Sequence, residues 1–260
     1  MKKILTTTVS AALVMFLGFG TAIAQDEKSD EPKATPVETW TCDFNEGKGP
    51  ADLEKVIAEW NDWMDDQGTT DYFAATITPN YFGERPFDIG WLGAWTDGNA
   101  MGAGTDLWIN EGSDVAAKFW EVLTCGSHTN FVSINVKRLP ENDDESDDSF
   151  VLTFSNCSME EGKEYSEFTE AQKTWNAYAD ENGFVSSAWV FWPVFGESDN
   201  DYDFKYVTGT DDHTTLGANY QLSTEGHWRK SNELFSDLVD CDISRVYDAK
   251  VVREIESDDD

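Results

Sequence analysis

The side chains best suited to chemistry in this 260-residue chain fall into three small groups. The first centres on His213, which directly follows Asp211 and Asp212. An imidazole titrates near neutrality, so a histidine in a loop after a strand, beside carboxylates, is placed to act as a general base. The plainer reading is a solvated histidine next to an aspartate that caps or turns the backbone. The second group is aromatic. Trp91 and Trp95 alternate with Ile89 and Gly93 on one side of a strand, and Gly90, Gly93, Gly102 and Gly104 remove bulk nearby. That combination suits a cavity walled by indoles for a flat, apolar or sugar-like ligand, with Trp189 and Tyr206 as further candidates for ligand contact. Against it stands the plainer role of glycine in turns and close backbone approach. The third group is Asp199, Asp201 and Asp203, hard oxygen donors close enough together to suggest Ca²⁺. The glycine and distal glutamate of a calcium loop are missing, and alternate residues of a hairpin diverge. His128, His213 and His227 lack ligand spacing to one another or to any cysteine, which argues against zinc. No nucleophile elbow, P-loop or dinucleotide fingerprint occurs, and no cofactor is expected.

The elements that must position these groups are written twice. A shift of 157 − 42 = 115 positions carries Cys42, Glu46, Gly47, Lys48, Trp60, Asn61 and Gly68 onto Cys157, Glu161, Gly162, Lys163, Trp175, Asn176 and Gly183. Asp97, Gly102 and Ala103 fall on Asp212, Gly217 and Ala218, and after a slip of one residue Cys125 meets Cys241. In the first copy a strand is expected over Glu38–Phe44. A helix follows from Pro50, with Leu53, Val56, Ile57, Trp60, Trp63 and Met64 at helical spacing, and Gly68 stops it. Strands are expected over Tyr72–Thr78 and Phe87–Trp95, then a glycine-rich loop over Asp97–Trp108. A second helix from Ser113 or Asp114 ends at Cys125, and a last strand covers Phe131–Lys137. The order is that of a ferredoxin-like βαββαβ unit. The second copy has matching runs at Val185–Phe195 and Tyr202–Thr210. Because Ala188–Trp192 is apolar at consecutive positions, the two sheets are expected to cover one another.

Compartment follows from the two ends and the cysteines. Lys2 and Lys3, an apolar run over Ala11–Phe19 and small residues up to Ala24 have the three-part layout of a secretory signal, and its core is too short for an ordinary transmembrane helix. Cleavage after Ala24 would leave 260 − 24 = 236 residues and move the net charge from −33 to about −35, since two lysines and no acid are lost. Such a charge repels phosphate backbones and anionic lipid surfaces, so nucleic acid is not an expected partner and no membrane span is expected. An exported protein can keep disulfides. Pairing Cys42 with Cys125 and Cys157 with Cys241 keeps each copy self-contained. The resulting division is a signal over 1–24, a disordered leader over 25–37, a first repeat over 38–139, an acidic linker over 140–149, a second repeat over 150–255 and an acidic tail over 256–260.

In element order, duplication and aromatic content the chain resembles the dimeric α+β barrel superfamily, which includes stress-responsive barrel proteins and antibiotic-biosynthesis-type monooxygenases. The resemblance covers nearly all of residues 38 to 254. It implies an α+β fold of two tandem ferredoxin-like repeats packed as a pseudo-dimeric barrel, with a small hydrophobic pocket in each half between sheet and helices. The expected function is a monomeric, periplasmic or secreted protein that binds a small apolar molecule or serves as a surface interaction module. The competing expectations are a cofactor-independent enzyme acting on an aromatic small molecule in the half that holds His213, and a calcium-stabilised structural protein. An enzyme should concentrate a buried acid or base in a pocket of just one copy.

Overall fold

The computed structural model describes residues 34–139, 148–196 and 201–255. The expected signal, most of the leader, most of the linker, Asp199 and the acidic tail lie outside these described residues.

Strand β1 covers Ala34–Phe44, so residues 34–37 of the expected leader are strand and pair with the segment around Phe131. Helix α1, Pro50–Asp66, begins as its sequence requires: Pro50 supplies a preset φ, and the Asp52 carboxylate accepts the N–H of Gly49 at 3.2 Å. Leu53, Val56, Ile57, Trp60 and Met64 form its buried stripe. Strands β2 (Tyr72–Tyr81) and β3 (Ile89–Trp95) follow.

The stretch expected to be a glycine-rich loop is instead helix α2, Gly98–Glu111. Asp97 is its N-cap, accepting the N–H groups of Asn99 at 2.8 Å and Ala100 at 2.9 Å, and this capping offsets the poor helix propensity of the two internal glycines, Gly102 and Gly104. Helix α3, Ser113–Val122, stops before Cys125, which therefore lies on strand β4 (Leu123–Lys137) and not at a helix end. After the linker come β5 (Ser149–Met159), α4 (Tyr165–Glu181), β6 (Ser187–Phe195), β7 (Phe204–Thr210) and α5 (His213–Leu222). A π-helical turn over Ser223–His227, α6 (Trp228–Phe235), β8 (Val239–Cys241) and β9 (Arg245–Arg253) complete the chain.

Among the described residues nine strands form one antiparallel sheet in the order β7-β6-β4-β1-β3-β2-β9-β5-β8. Pairing of β7 with β5 closes the first eight into a barrel and leaves β8 on its margin. Closure removes the unpaired strand edges that an open sheet exposes. The barrel interior is filled by Val37, Leu92, Phe131, Leu152, Phe191, Val207 and Tyr247 among others. A second core lies outside the barrel under α1, α2 and α3, and a third under α4 and α6.

The two ends of the sequence are tied by matched contacts. Asn61 on α1 donates to the Val252 carbonyl of β9 at 2.8 Å, and Asn176 on α4 donates to the Val136 carbonyl of β4 at 2.7 Å. Beside these, Arg253 pairs with Asp65 at 2.9 Å and Lys137 with Asp180 at 2.8 Å, each cation buried and each carboxylate exposed.

Both disulfides join directly paired strand residues: Cys42 of β1 with Cys125 of β4, and Cys157 of β5 with Cys241 of β8. They are 83 and 84 residues apart in sequence, so in the chain-entropy account each contributes about 4 to 5 kcal/mol. Two disulfides fit an oxidising compartment. Among the described residues no helix is long and apolar enough to cross a membrane.

Candidate functional site

The adjacent strands β4, β1, β3 and β2 turn one face toward α1, α2 and α3, and between sheet and helices lies a cavity of about 180 Å³. Seven tryptophans line it: Trp40, Trp60, Trp63, Trp91, Trp95, Trp108 and Trp120. Three polar side chains meet in this apolar wall. Glu38 of β1 accepts the Tyr72 hydroxyl at 2.6 Å through Oε1 and lies 2.6 Å from His128 Nε2 through Oε2. The Tyr72 hydroxyl in turn accepts the indole N–H of Trp91 at 3.0 Å.

Strand register explains the meeting. Trp40 pairs with His128 across β1 and β4, and their rings stack at 3.6 Å with an interplanar angle of 12°. Gly93 of β3 pairs with Glu38 on one side and Ala74 on the other. A Cβ at Gly93 would collide with the Tyr72 hydroxyl, so the bare backbone is what lets the Tyr72 side chain cross β3 to reach Glu38. Gly104 of α2 similarly admits the Trp95 ring.

The electrostatics follow from burial and these bonds. Burial pushes the Glu38 carboxyl up, but hydrogen bonds from His128 and Tyr72, together with the His128 charge, outweigh it and hold the group below the usual carboxylate range. The Tyr72 phenol is pushed well above its ordinary value, first by burial and then by the Glu38 charge, so it remains a donor at neutral pH. With Nε2–H donating to a carboxylate, Nδ1 is the nitrogen of His128 left to accept a proton. His128 is 44% exposed and Glu38 18%, so the pair reaches from the interior to solvent. An ionised acid, an oriented imidazole and an apolar chamber together are equipped for proton abstraction.

As a metal site the cavity is poor. His128 is the one histidine that lines it, lies flat on Trp40 and has Nε2 engaged, and the volume is below the roughly 300–1,000 Å³ of drug-sized ligand sites, so a haem-sized group does not fit.

The residues singled out from sequence are scattered. Trp91 and Trp95 line the cavity. Trp189 lines a different space of about 390 Å³ in the barrel interior. Tyr206 is half-buried, donates to Gln172 at 3.2 Å, and its phenol is pushed up to about 12 by desolvation. His213 is the exposed first residue of α5, with Nε2 2.5 Å from Asp248, and Asp212 is the helix cap, accepting the Thr215 N–H at 2.7 Å. That backbone bond lowers the Asp212 carboxyl, and neither residue lines either cavity. Asp203 accepts the Met159 N–H at 2.8 Å, and among the described residues no group of three or more His, Cys, Asp or Glu could hold a metal.

Sequence reasoning missed Glu38, Tyr72 and His128. The duplication held the signal: the shift of 115, or 116 past the slip, places them on Thr153, Ser187 and Ser244, so this chemistry is present in one copy alone. Where Trp40 stacks on His128, the second half has Ser155 bonded to Ser244 at 2.7 Å.

No protein-family model matches the chain, and no curated protein matches it in sequence. Solved structures do. An anthrone oxidase-like protein superposes with a TM-score of 0.52 at 12% identity, covering 88% of this chain and 97% of that one. A protein from Lactobacillus acidophilus described as a monooxygenase gives 0.51 at 9%, covering 86% and 95%. Chlorite dismutase from Candidatus Nitrospira defluvii, in complex with imidazole, gives 0.50 at 9%, covering 84% and 92%. The fold is therefore the one that dimeric α+β barrel and chlorite dismutase-like proteins share. The expectation of an apolar-ligand binder, a surface interaction module or a calcium-stabilised structural protein is corrected here, because the structures that share the whole fold carry the names of enzymes.

Proposed function

We propose that the chain is an enzyme that removes a proton from a small, largely apolar substrate in the Glu38 cavity. His128 is the base, Glu38 orients it and balances the charge it gains, and Tyr72 holds Glu38 in place while its own hydroxyl is fixed by Trp91. The observation that carries this reading is the Glu38–His128 contact of 2.6 Å inside an aromatic chamber, in one half only. The names borne by the structural neighbours, anthrone oxidase-like protein, monooxygenase and chlorite dismutase, support catalysis in this fold. The site lies in the first half and not in the half with His213. The test is solvent deuterium uptake. A panel of small carbonyl and hydroxyl compounds in D₂O, followed by NMR, is expected to include one that exchanges a C–H in the presence of the protein. Replacing Glu38, the group that orients the base and balances its charge, with Gln should slow that exchange about 100-fold or more. An exchange rate that Glu38→Gln leaves unchanged would refute the role.

The same proposal covers the setting of the site. Two tandem ferredoxin-like repeats, over 38–139 and 150–255, packed as an internal pseudo-dimer, are supported by the matched Asn61 and Asn176 contacts 115 residues apart. Export after a signal over 1–24, to the periplasm or beyond the cell, is supported by the N-terminal pattern and the two disulfides. A monomer that meets a small molecule and no nucleic acid is supported by the internal pairing and the acidity.

A further inference from the structure

The walls of the Glu38 cavity also select by charge. Among the described residues neither Lys nor Arg lines it, Glu38 is the one carboxylate that does, and the basic group present, His128, is already tied to that carboxylate. Its rings stand at steep angles to one another: Trp60 and Trp91 meet at 84° and 5.0 Å, Trp91 and Phe119 at 85° and 6.0 Å, and Trp63 and Trp108 at 75° and 5.6 Å. Rings packed edge to face on one another wall the cavity with indole from several directions. Each face attracts a cation, and the attraction is strongest where water is excluded. An anion would face a carboxylate held ionised, and the nearest guanidinium, Arg253 at 5.9 Å from the Trp60 ring, is already paired with Asp65. The space of about 180 Å³ corresponds to roughly half a dozen waters at about 30 Å³ each, which suits a ligand of about that many heavy atoms. The net charge of −33 draws cations toward the whole surface.

We infer that the cavity takes a small organic cation, a tertiary or quaternary alkylammonium, seated against the indole faces beside Glu38. This deepens the proposed function by naming the class of substrate, and rests on it only in taking this cavity as the place where substrate enters. The test is binding without turnover. Calorimetry and tryptophan fluorescence compare choline with its neutral carbon isostere, in which a tert-butyl group replaces the trimethylammonium. Choline is expected to bind about tenfold more tightly or better. Glu38→Gln, which keeps the size of the side chain, should shrink that preference. Equal affinity for the two, tighter binding of the isostere, no binding of choline, or a preference that survives Glu38→Gln would each overturn the inference. A preference for choline in a protein whose deuterium exchange ignores Glu38→Gln would leave the binding inference standing and sink the proposed reaction alone.

Discussion

Glu38 stays ionised in an aromatic wall because two donors hold it there, and that arrangement has a pH signature. Its folded pKa is below that of an unfolded glutamate, so its contribution to stability is complete above the unfolded value of about 4.3 and is lost as the pH falls through the folded value. Replacing it with Gln sets an amide N–H₂ or a weaker acceptor against donors that remain, which should cost about 1 to 3 kcal/mol at neutral pH. The same substitution should cost progressively less in acid, where the wild-type carboxyl is protonated. Urea unfolding of both proteins at about pH 7 and about pH 3 checks this, and a pH-independent difference would mean that the carboxylate charge is not what the site holds.

At the scale of elements, the site exists because β1 is pinned between β3 and β4, and the Cys42–Cys125 bond crosses β1 and β4 at the cavity wall. Replacing both cysteines with alanine should lower stability by about 2 to 5 kcal/mol, read from the denaturation midpoint, and should weaken the site more than the equivalent change at Cys157 and Cys241. Much at this scale was legible in the sequence. The helical stripe Leu53, Val56, Ile57, Trp60 and Met64 is the buried face of α1, and the cysteine spacing gave the pairing. What was not legible depended on partners distant in sequence. Glycines at 98, 102 and 104 read as loop because the capping bonds of Asp97 and the seat of Trp95 on Gly104 belong to the folded state. Cys125 read as a helix end because α3 passes into the long strand β4 with no turn between them, Val122 ending one and Leu123 starting the other. Glu38, Tyr72 and His128 stand 34 and 90 residues apart and meet only through strand register. A lone histidine and a tyrosine at the start of a strand carry no local mark of function, whereas His213 beside two aspartates does, and the structure spends those residues on a helix cap and a surface pair.

For the whole molecule, barrel closure makes the halves mutually dependent. Strand β4 of the first half pairs with β6 of the second, and β9 pairs back onto β2. The last strand of each half is also held by a helix of the other, through Asn61 and Asn176. Unfolding should therefore be one transition. Seven of the 11 tryptophans line the first-half cavity, so their fluorescence reports mainly on that half, while circular dichroism reports on both. The two denaturation curves should coincide, and separate midpoints would show halves that fold as independent beads. The same interlocking places Glu38, Tyr72 and His128 on strands that are each paired on both sides, which holds their geometry.

Catalysis is proposed to rest on His128 in the first half and not on His213 in the second. Deuterium exchange of the substrate found by the NMR panel should be compared in the wild type, His128→Gln and His213→Gln, with folding of each variant checked by its denaturation midpoint. Exchange is expected to fall about 100-fold or more in His128→Gln and to stay within about twofold of wild type in His213→Gln. Loss of exchange in His213→Gln with retention in His128→Gln would contradict the account.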